Sequence, residues 1–192
     1  MRFKYCSVVV GYMVLVALTL SANFFALRAE AKTADPPIEG SMVKFVASDP
    51  PIPVPDTPFI GVDGETIKLA DYKGRLVLLN FWATWCAPCI RELPSIESLA
   101  SSVNDPRFTV QLVSIDRGGA KVHKPFLENL GITGIASASD PRARLLRALK
   151  EPGVPVTVLI NSEGLMVGRL IGDAHWDSPA ARLLIKFYLD QG

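Results

Sequence analysis

One junction constrains this chain more than any other. The run Leu76-Val77-Leu78-Leu79-Asn80-Phe81-Trp82 is apolar at every position but one, and after Ala83-Thr84 it leads into Trp85-Cys86-Ala87-Pro88-Cys89. A strand reads as nearly continuous apolar sequence when both its faces are covered, as in the middle of an α/β sheet. Behind the cysteines, Ile90, Leu93, Ile96, Leu99 and Val103 recur at close to helical spacing, which predicts a helix over Cys86–Val103, kinked by Pro94. The cysteine pair therefore lies where a buried strand gives way to a helix.

The flanking sequence continues the pattern. Phe59–Val62 and Thr66–Leu69 surround Asp63-Gly64, a dipeptide favoured in tight hairpin turns. Phe108–Ile115 reads as a strand, Lys121–Leu130 as a helix, and Pro141–Lys150 as a helix capped by Asp140. Val156–Ile160 and Leu165–Ile171 read as strands joined by a turn at Asn161-Ser162-Glu163-Gly164. Ser178–Leu189 closes the chain as a helix with Ser178 as cap and Pro179 first. Residues 55–192 are thus expected to form one α/β domain, a central mixed sheet flanked by helices with an added N-terminal hairpin.

The first fifty residues are of another kind. Arg2 and Lys4 precede Tyr5–Leu27, 23 residues without a charge. A spanning helix needs roughly 17–25 such residues and a signal peptide about 7–15, so residues 1–28 read as a transmembrane or signal anchor. Ala29-Glu30-Ala31 resembles a cleavage site and keeps a cleaved signal peptide open. Either way the two basic residues hold the N-terminus in the cytoplasm and place the rest outside, the domain in the periplasm on a single pass of the inner membrane. Cys6 lies in the apolar stretch and reads as filler. Between Pro36 and Pro58 lie seven of the chain's fifteen prolines, so residues 29–54 are expected to be a proline-rich spacer. Twenty Lys and Arg against nineteen Asp and Glu leave a charge of +1, too little to hold a polyanion, and no nucleic-acid partner is expected.

Cys-x-x-Cys at the start of a helix brings two sulfurs within bonding reach. The free N–H groups and the helix dipole there stabilise a thiolate. Cys86 is expected to be the exposed attacking thiol, and Cys89, one turn further in, the buried resolving thiol. Two other readings stand beside this one. A zinc half-site lacks a second Cys-x-x-Cys or a His pair. A structural disulfide closing so short a loop would constrain little of the unfolded chain. No metal site is expected, and no cofactor beyond a redox-active Cys86–Cys89 disulfide.

Phe81-Trp82-Ala83-Thr84-Trp85-Cys86-Ala87-Pro88-Cys89, with Glu92-Leu93-Pro94 behind it, resembles the thioredoxin-like superfamily. Within it the chain is most similar to the membrane-anchored TlpA/ResA branch of bacterial thiol-disulfide oxidoreductases, from about Pro55 to Leu189, and Gly172-Asp173-Ala174-His175-Trp176 also looks TlpA-like. The resemblance implies a thioredoxin-like fold with a cis proline at Pro155, in Gly153-Val154-Pro155-Val156-Thr157. The Val154 backbone would there meet an incoming peptide, with Trp85, Ala87 and Pro88 completing the substrate-contacting surface. It also implies that Glu92 stands near the thiols, where a buried carboxyl of raised pKa would relay the proton of Cys89. A solvated glutamate favoured by the helix dipole is the alternative. Asn80 occupies the strand position of a buried aspartate in thioredoxin proper, and an amide cannot take a proton.

Strongly oxidising members of the superfamily carry a histidine between the cysteines, and Ala87-Pro88 does not. The expected couple is nearer thioredoxin than the oxidase end, a span of about 150 mV. The chain would then be a reductase of disulfides in exported proteins, drawing electrons from an inner-membrane donor of the CcdA/DsbD type, as the resemblance implies. Gly-Val-Pro-Val at the proline favours TlpA-like substrates, copper-site proteins of respiratory oxidase assembly, over the apocytochrome c of CcmG-like relatives, which carry Gly-Ala-Pro-Glu. Two further classes remain. A peroxidase of the peroxiredoxin type needs a Pro-x-x-x-Thr-x-x-Cys frame. A Sco-like copper chaperone needs Cys-x-x-x-Cys and a histidine, and only His175 is placed for the part, since His123 at a helix start is expected to be solvated. Arg117-Gly118-Gly119 reads as an ordinary connection, at a strand end where α/β sheets meet ligands.

Overall fold

The computed structural model describes residues 35–192, and the expected anchor at residues 1–28 lies outside them with the first part of the expected spacer. Among the described residues no helix is long and apolar enough to cross a membrane.

The centre of the domain is the run identified above. It forms β4 (Leu76–Trp82), every residue of which is buried. Side chains alternate between faces, so Leu76, Leu78 and Trp82 enter one apolar cluster while Val77, Leu79 and Phe81 enter the other. Around β4 lies an eight-stranded mixed sheet, in the order β1 (Phe45–Pro53), β8 (Leu165–Ile171), β7 (Val156–Ile160), β4, β5 (Phe108–Ser114), β6 (Ala136–Ser139), β2 (Phe59–Gly61), β3 (Thr66–Ile67). β5 runs parallel to β4, and β6 parallel to β5. On the other side, β7 and β8 follow antiparallel. The hairpin of β2 and β3 closes one edge against β6. Two helices, α1 (Ala87–Ser102) and α4 (Pro179–Leu189), cover the face that holds Leu78 and Trp82. α2 (Ala120–Asn129) adds Leu127 and Phe126 to that cluster, and the short α3 (Arg144–Ala148) covers the opposite face.

Four expectations need correction. Part of the expected spacer, Phe45–Pro53, is strand β1, paired antiparallel with β8. Phe45 anchors it with 3% exposure, and the prolines fall at a register shift between Ala47 and Ile52, on an edge where missing donors are tolerated. Gly168 permits the pairing, because a Cβ there would come within 2.3 Å of the Phe45 ring and 2.9 Å of the Val46 carbonyl oxygen. The expected helix at Pro141–Lys150 is confined to α3, since Ala143 has φ +48° and breaks the first turn. Asp140 still caps it, accepting the N–H groups of Arg144 and Leu145 at 2.8 Å and of Leu146 at 3.2 Å. The expected strand over Thr66–Leu69 stops at Ile67, since Leu69 opens a 3-10 turn in which the Asp71 carboxylate accepts the Lys68 N–H at 2.8 Å, whereas α1 contains Pro94 as expected.

The fourth correction is His123, which is wholly buried. Its Nε2 pairs with Ser139 Oγ at 2.8 Å and its Nδ1 with Ser137 Oγ at 3.1 Å, and its ring meets Trp82 edge-on at 6.2 Å. Both serines belong to β6, a strand whose Ala-Ser-Ala-Ser sequence carries no apolar run to predict it. Burial pushes the imidazole pKa below its ordinary value.

Candidate active site

The junction folds as the sequence requires. β4 ends at Trp82, the loop 83–86 turns with Cys86 N–H donating to the Ala83 carbonyl at 3.1 Å, and α1 begins at Ala87. Cys86 is the N-cap residue, and its Sγ accepts the N–H of Cys89 at 3.3 Å. The two cysteines are joined as a disulfide with Cα atoms 5.3 Å apart. Cys89 is fully buried and Cys86 only 5% exposed. Cys89 is buried as expected, whereas Cys86, expected to be exposed, is buried as well in the disulfide. Trp85, by contrast, is 68% exposed.

Asp116, which the sequence reading passed over, holds this loop. It follows β5, and the parallel pairing of β4 and β5 sets Trp82 beside Ser114. Its Oδ2 accepts the Thr84 N–H at 3.0 Å and the Ser114 hydroxyl at 2.7 Å, while its Oδ1 accepts the Thr84 hydroxyl at 2.9 Å. An acidic residue two positions beyond the end of a central strand was the available signal.

The antiparallel pairing of β4 with β7 sets Phe81 opposite Val156, which carries the preceding Val154-Pro155 to the level of the cysteine loop. The Val154–Pro155 bond is cis. Val154 is half-buried, and neither its N–H nor its carbonyl forms a backbone hydrogen bond among the described residues. The Pro155 carbonyl is occupied, accepting the Gly172 N–H at 2.9 Å. Ala87 is exposed and Pro88 half-buried at the start of α1.

Glu92 lies behind the disulfide. It is 2% exposed and faces the sheet, three residues after Cys89, so the two side chains are neighbours on one helix face with Cβ atoms roughly 5–6 Å apart. The same face of β4 that carries Leu78 and Trp82 carries Asn80, whose amide Nδ2 donates to Glu92 Oε1 at 2.8 Å and to Thr157 Oγ1 at 2.9 Å. The segment after β8 donates to the other oxygen, Oε2, from the Ala174 N–H at 3.2 Å and the Trp176 indole N–H at 3.4 Å. The donors are all neutral. Burial therefore outweighs them and pushes the carboxyl up to about 7, against the downward pull of the Asn80, Ala174 and Trp176 hydrogen bonds. Near neutral pH such a group exists in both protonation states, which suits proton transfer.

Glu92 reaches water through a cavity of about 500 Å3 that Ser41, Lys44, Arg91, Asp173 and His175 also line. Arg91 and Asp173 form an ion pair across it at 3.1 Å, and that hydrogen bond holds the Asp173 carboxyl below its ordinary value. His175 is exposed on this rim. Among the described residues no group of three or more His, Cys, Asp or Glu is placed to hold a metal ion.

Residues 51–168 match the AhpC/TSA family. The thiol-disulfide oxidoreductase ResA of Geobacillus thermodenitrificans is 32% identical over 158 residues, covering 81% of this chain and 80% of the relative. ResA of Halalkalibacterium halodurans is 29% identical over 161 residues, covering 84% and 77%. Among solved structures, one from Chlorobium tepidum described as a thiol:disulfide interchange protein DsbE superposes with a TM-score of 0.65 at 27% identity, covering 72% of this chain and 96% of that one.

Proposed function

From the premise that the chain belongs to the AhpC/TSA family and is a thiol-disulfide oxidoreductase of thioredoxin-like fold, we propose that it is a membrane-anchored, periplasmic reductase of disulfides in exported proteins. In the reduced protein the Cys86 thiolate attacks one sulfur of a substrate disulfide. The other substrate sulfur leaves as a thiolate, and a mixed disulfide joins Cys86 to the substrate. Cys89 then loses its proton to Glu92 and attacks Cys86 Sγ, which releases the second substrate thiolate and forms the Cys86–Cys89 disulfide. Two electrons have passed from the dithiol to the substrate, whose two thiolates take protons from water, while the Cys89 proton rests on Glu92. A dithiol donor of the CcdA/DsbD type in the inner membrane reverses the sequence, Glu92 returning the proton to Cys89 as that sulfur leaves.

The observation that carries this reading is the buried Glu92 one turn behind Cys89, held by neutral donors with a pKa of about 7. The backbone groups of Val154, which form no backbone hydrogen bond among the described residues, support a substrate backbone lying along the loop before β7. A peroxidase reading gains nothing from the frame around Cys86, where Leu79 and Ala83 stand in place of the proline and threonine it needs.

The substrates proposed are proteins of copper-site assembly in respiratory oxidases, with apocytochrome c as the second reading. Trapping with Cys89→Ser tests both, because the variant attacks but cannot resolve. Oxidase-assembly proteins on Cys86 uphold the first reading, and apocytochromes replace it with the second. A reduction potential near that of a strong oxidant would reverse the direction of electron flow.

A further inference from the structure

An open cleft of about 990 Å3 lies against the loop that precedes Cys86, lined by Trp85, Ile115, Arg117, Pro141, Arg142 and Arg147. Its three arginines come from two separate segments, the connection after β5 and the chain around α3. All three are exposed, and among the described residues no guanidinium of the three forms an ion pair or hydrogen bond. Among the described residues no acidic side chain lines the cleft. The two nearby in sequence, Asp116 and Asp140, are 4% and 3% exposed. Their oxygens are turned inward, those of Asp116 to Thr84 and Ser114 and those of Asp140 to the N–H groups opening α3. They offset part of the arginine charge without competing for the guanidinium donors.

The chain's net charge of +1 gives no general attraction for anions, so this concentration of unpaired positive charge is local. Guanidinium groups present forked donors that match carboxylates. The indole of Trp85, 68% exposed on the same wall, offers a large apolar surface of the kind that anchors protein contacts. Cys86 is the next residue, so whatever fills the cleft lies beside the disulfide being exchanged.

We infer that this cleft docks an acidic segment of the protein substrate, adjoining its disulfide, with Asp or Glu side chains paired to Arg117, Arg142 and Arg147 and apolar side chains against Trp85. The inference rests on the thiol-disulfide exchange reading and names the chemistry of its substrate. An anionic membrane surface would also attract these arginines, but a bilayer seated there would bar substrates from Cys86.

The test compares two disulfide peptides of equal length, one with Asp and Glu flanking the cystine and one with Asn and Gln, reduced by the full chain in detergent. The acidic peptide is expected to react faster by on the order of tenfold at low ionic strength. The ratio should fall towards one in about 1 M salt, where charges are screened beyond roughly 3 Å. In Arg117→Glu/Arg142→Glu/Arg147→Glu the ratio should drop below one. Arg142→Glu alone should lower it about threefold, since steering adds over charges. Each ratio is internal to one protein preparation, so a poorly folded variant does not mimic the effect, and the salt series needs no variant. Equal rates for both peptides at low salt would overturn the docking assignment alone. Failure to reduce either peptide, or hydroxyethyl disulfide, would overturn the exchange reading and the docking with it. Binding to phosphatidylglycerol vesicles that the triple variant abolishes, with a peptide ratio near one, would assign the arginines to a membrane instead.

Discussion

Two cavities adjoin the first turns of α1, and they are made of opposite materials. The one before Cys86 is open, lined by an exposed tryptophan and three arginines that pair with nothing among the described residues. The one behind Cys89 ends on a buried carboxyl held by neutral donors, with Arg91 and Asp173 paired at its rim. Exposed charge in the first interacts with what arrives from solution but shifts no internal equilibrium far, because water screens it. A single carboxyl in the second is displaced to about 7 because burial removes that screening. Selection of a partner and handling of a proton are thereby assigned to different sides of one disulfide.

The comparison breaks most visibly at Glu92. Glu92→Gln keeps the size of the side chain and removes its proton chemistry. Reduction of the oxidised protein by a small dithiol should slow by on the order of 10²-fold, the usual contribution of a positioned general acid. Protonated Glu92 serves the departing Cys89, so the native rate, corrected for the thiolate fraction of the attacking dithiol, should fall as the pH rises past about 7. The variant should lack that inflection. A slow variant that keeps it would move the proton to another group.

The same substitution sharpens the contrast in stability. Unfolded, the Glu92 carboxyl titrates near 4.5, and folded it titrates near 7. Between these values the folded protein holds a proton that the unfolded chain has lost. Its contribution is therefore intact below 4.5 and declines as the pH rises through 7, by about 3 kcal/mol in all. Unfolding free energies from denaturant titrations at pH 5 and pH 8 should diverge by about 2.5 kcal/mol more in the native protein than in Glu92→Gln. Taking the difference between the two proteins removes Glu151, whose carboxyl is also raised by burial and acts with the same sign. Parallel free energies would mean that Glu92 titrates as an exposed group.

On the open side the corresponding structural residue is Asp116. Asp116→Ala leaves the Thr84 N–H and the Thr84 and Ser114 hydroxyls without their acceptor, which should cost about 2 kcal/mol in urea unfolding. A loss of less than about 0.5 kcal/mol would mean that water replaces the carboxylate.

What was legible beforehand follows from the range of the interactions involved. β7 and β8 have the observed bounds because short, mostly apolar runs on either side of an Asn-Ser-Glu-Gly turn are local signals. The Cys86 cap is equally local. β6 leaves no local signal because its buried residues, Ala138 and Ser139, are small, and the burial of His123 is illegible for the same reason, since its partners are the serines of that strand. The prolines of β1 count against a strand, yet pairing with Gly168 holds it. The position of Glu92 is legible in sequence but its environment is not, because Ala174 and Trp176 reach it from more than eighty residues away. Asn80 read as the loss of a proton acceptor, and in the fold it is the donor that positions one.

The smallest expected effect lies at the rim of the Glu92 cavity. Arg91 and Asp173 are both substantially exposed, with side chains 64% and 38% accessible, so their pairing is worth little to stability. The pair nevertheless bears on Glu92, because the Asp173 charge raises its pKa and Arg91 masks that charge. Arg91→Ala removes a cation from the cavity and unmasks an anion beside it, and both changes favour the protonated carboxyl. The inflection in the reduction profile should move upward by about 0.3 pH unit at low salt, the size of an exposed interaction. In about 1 M salt the shift should vanish. A shift that survives salt would mean that Arg91 acts on Glu92 through a change in its burial. No shift at low salt would mean that the cavity does not connect Glu92 to the rim electrostatically, and the contrast between the two sides would then rest on burial alone.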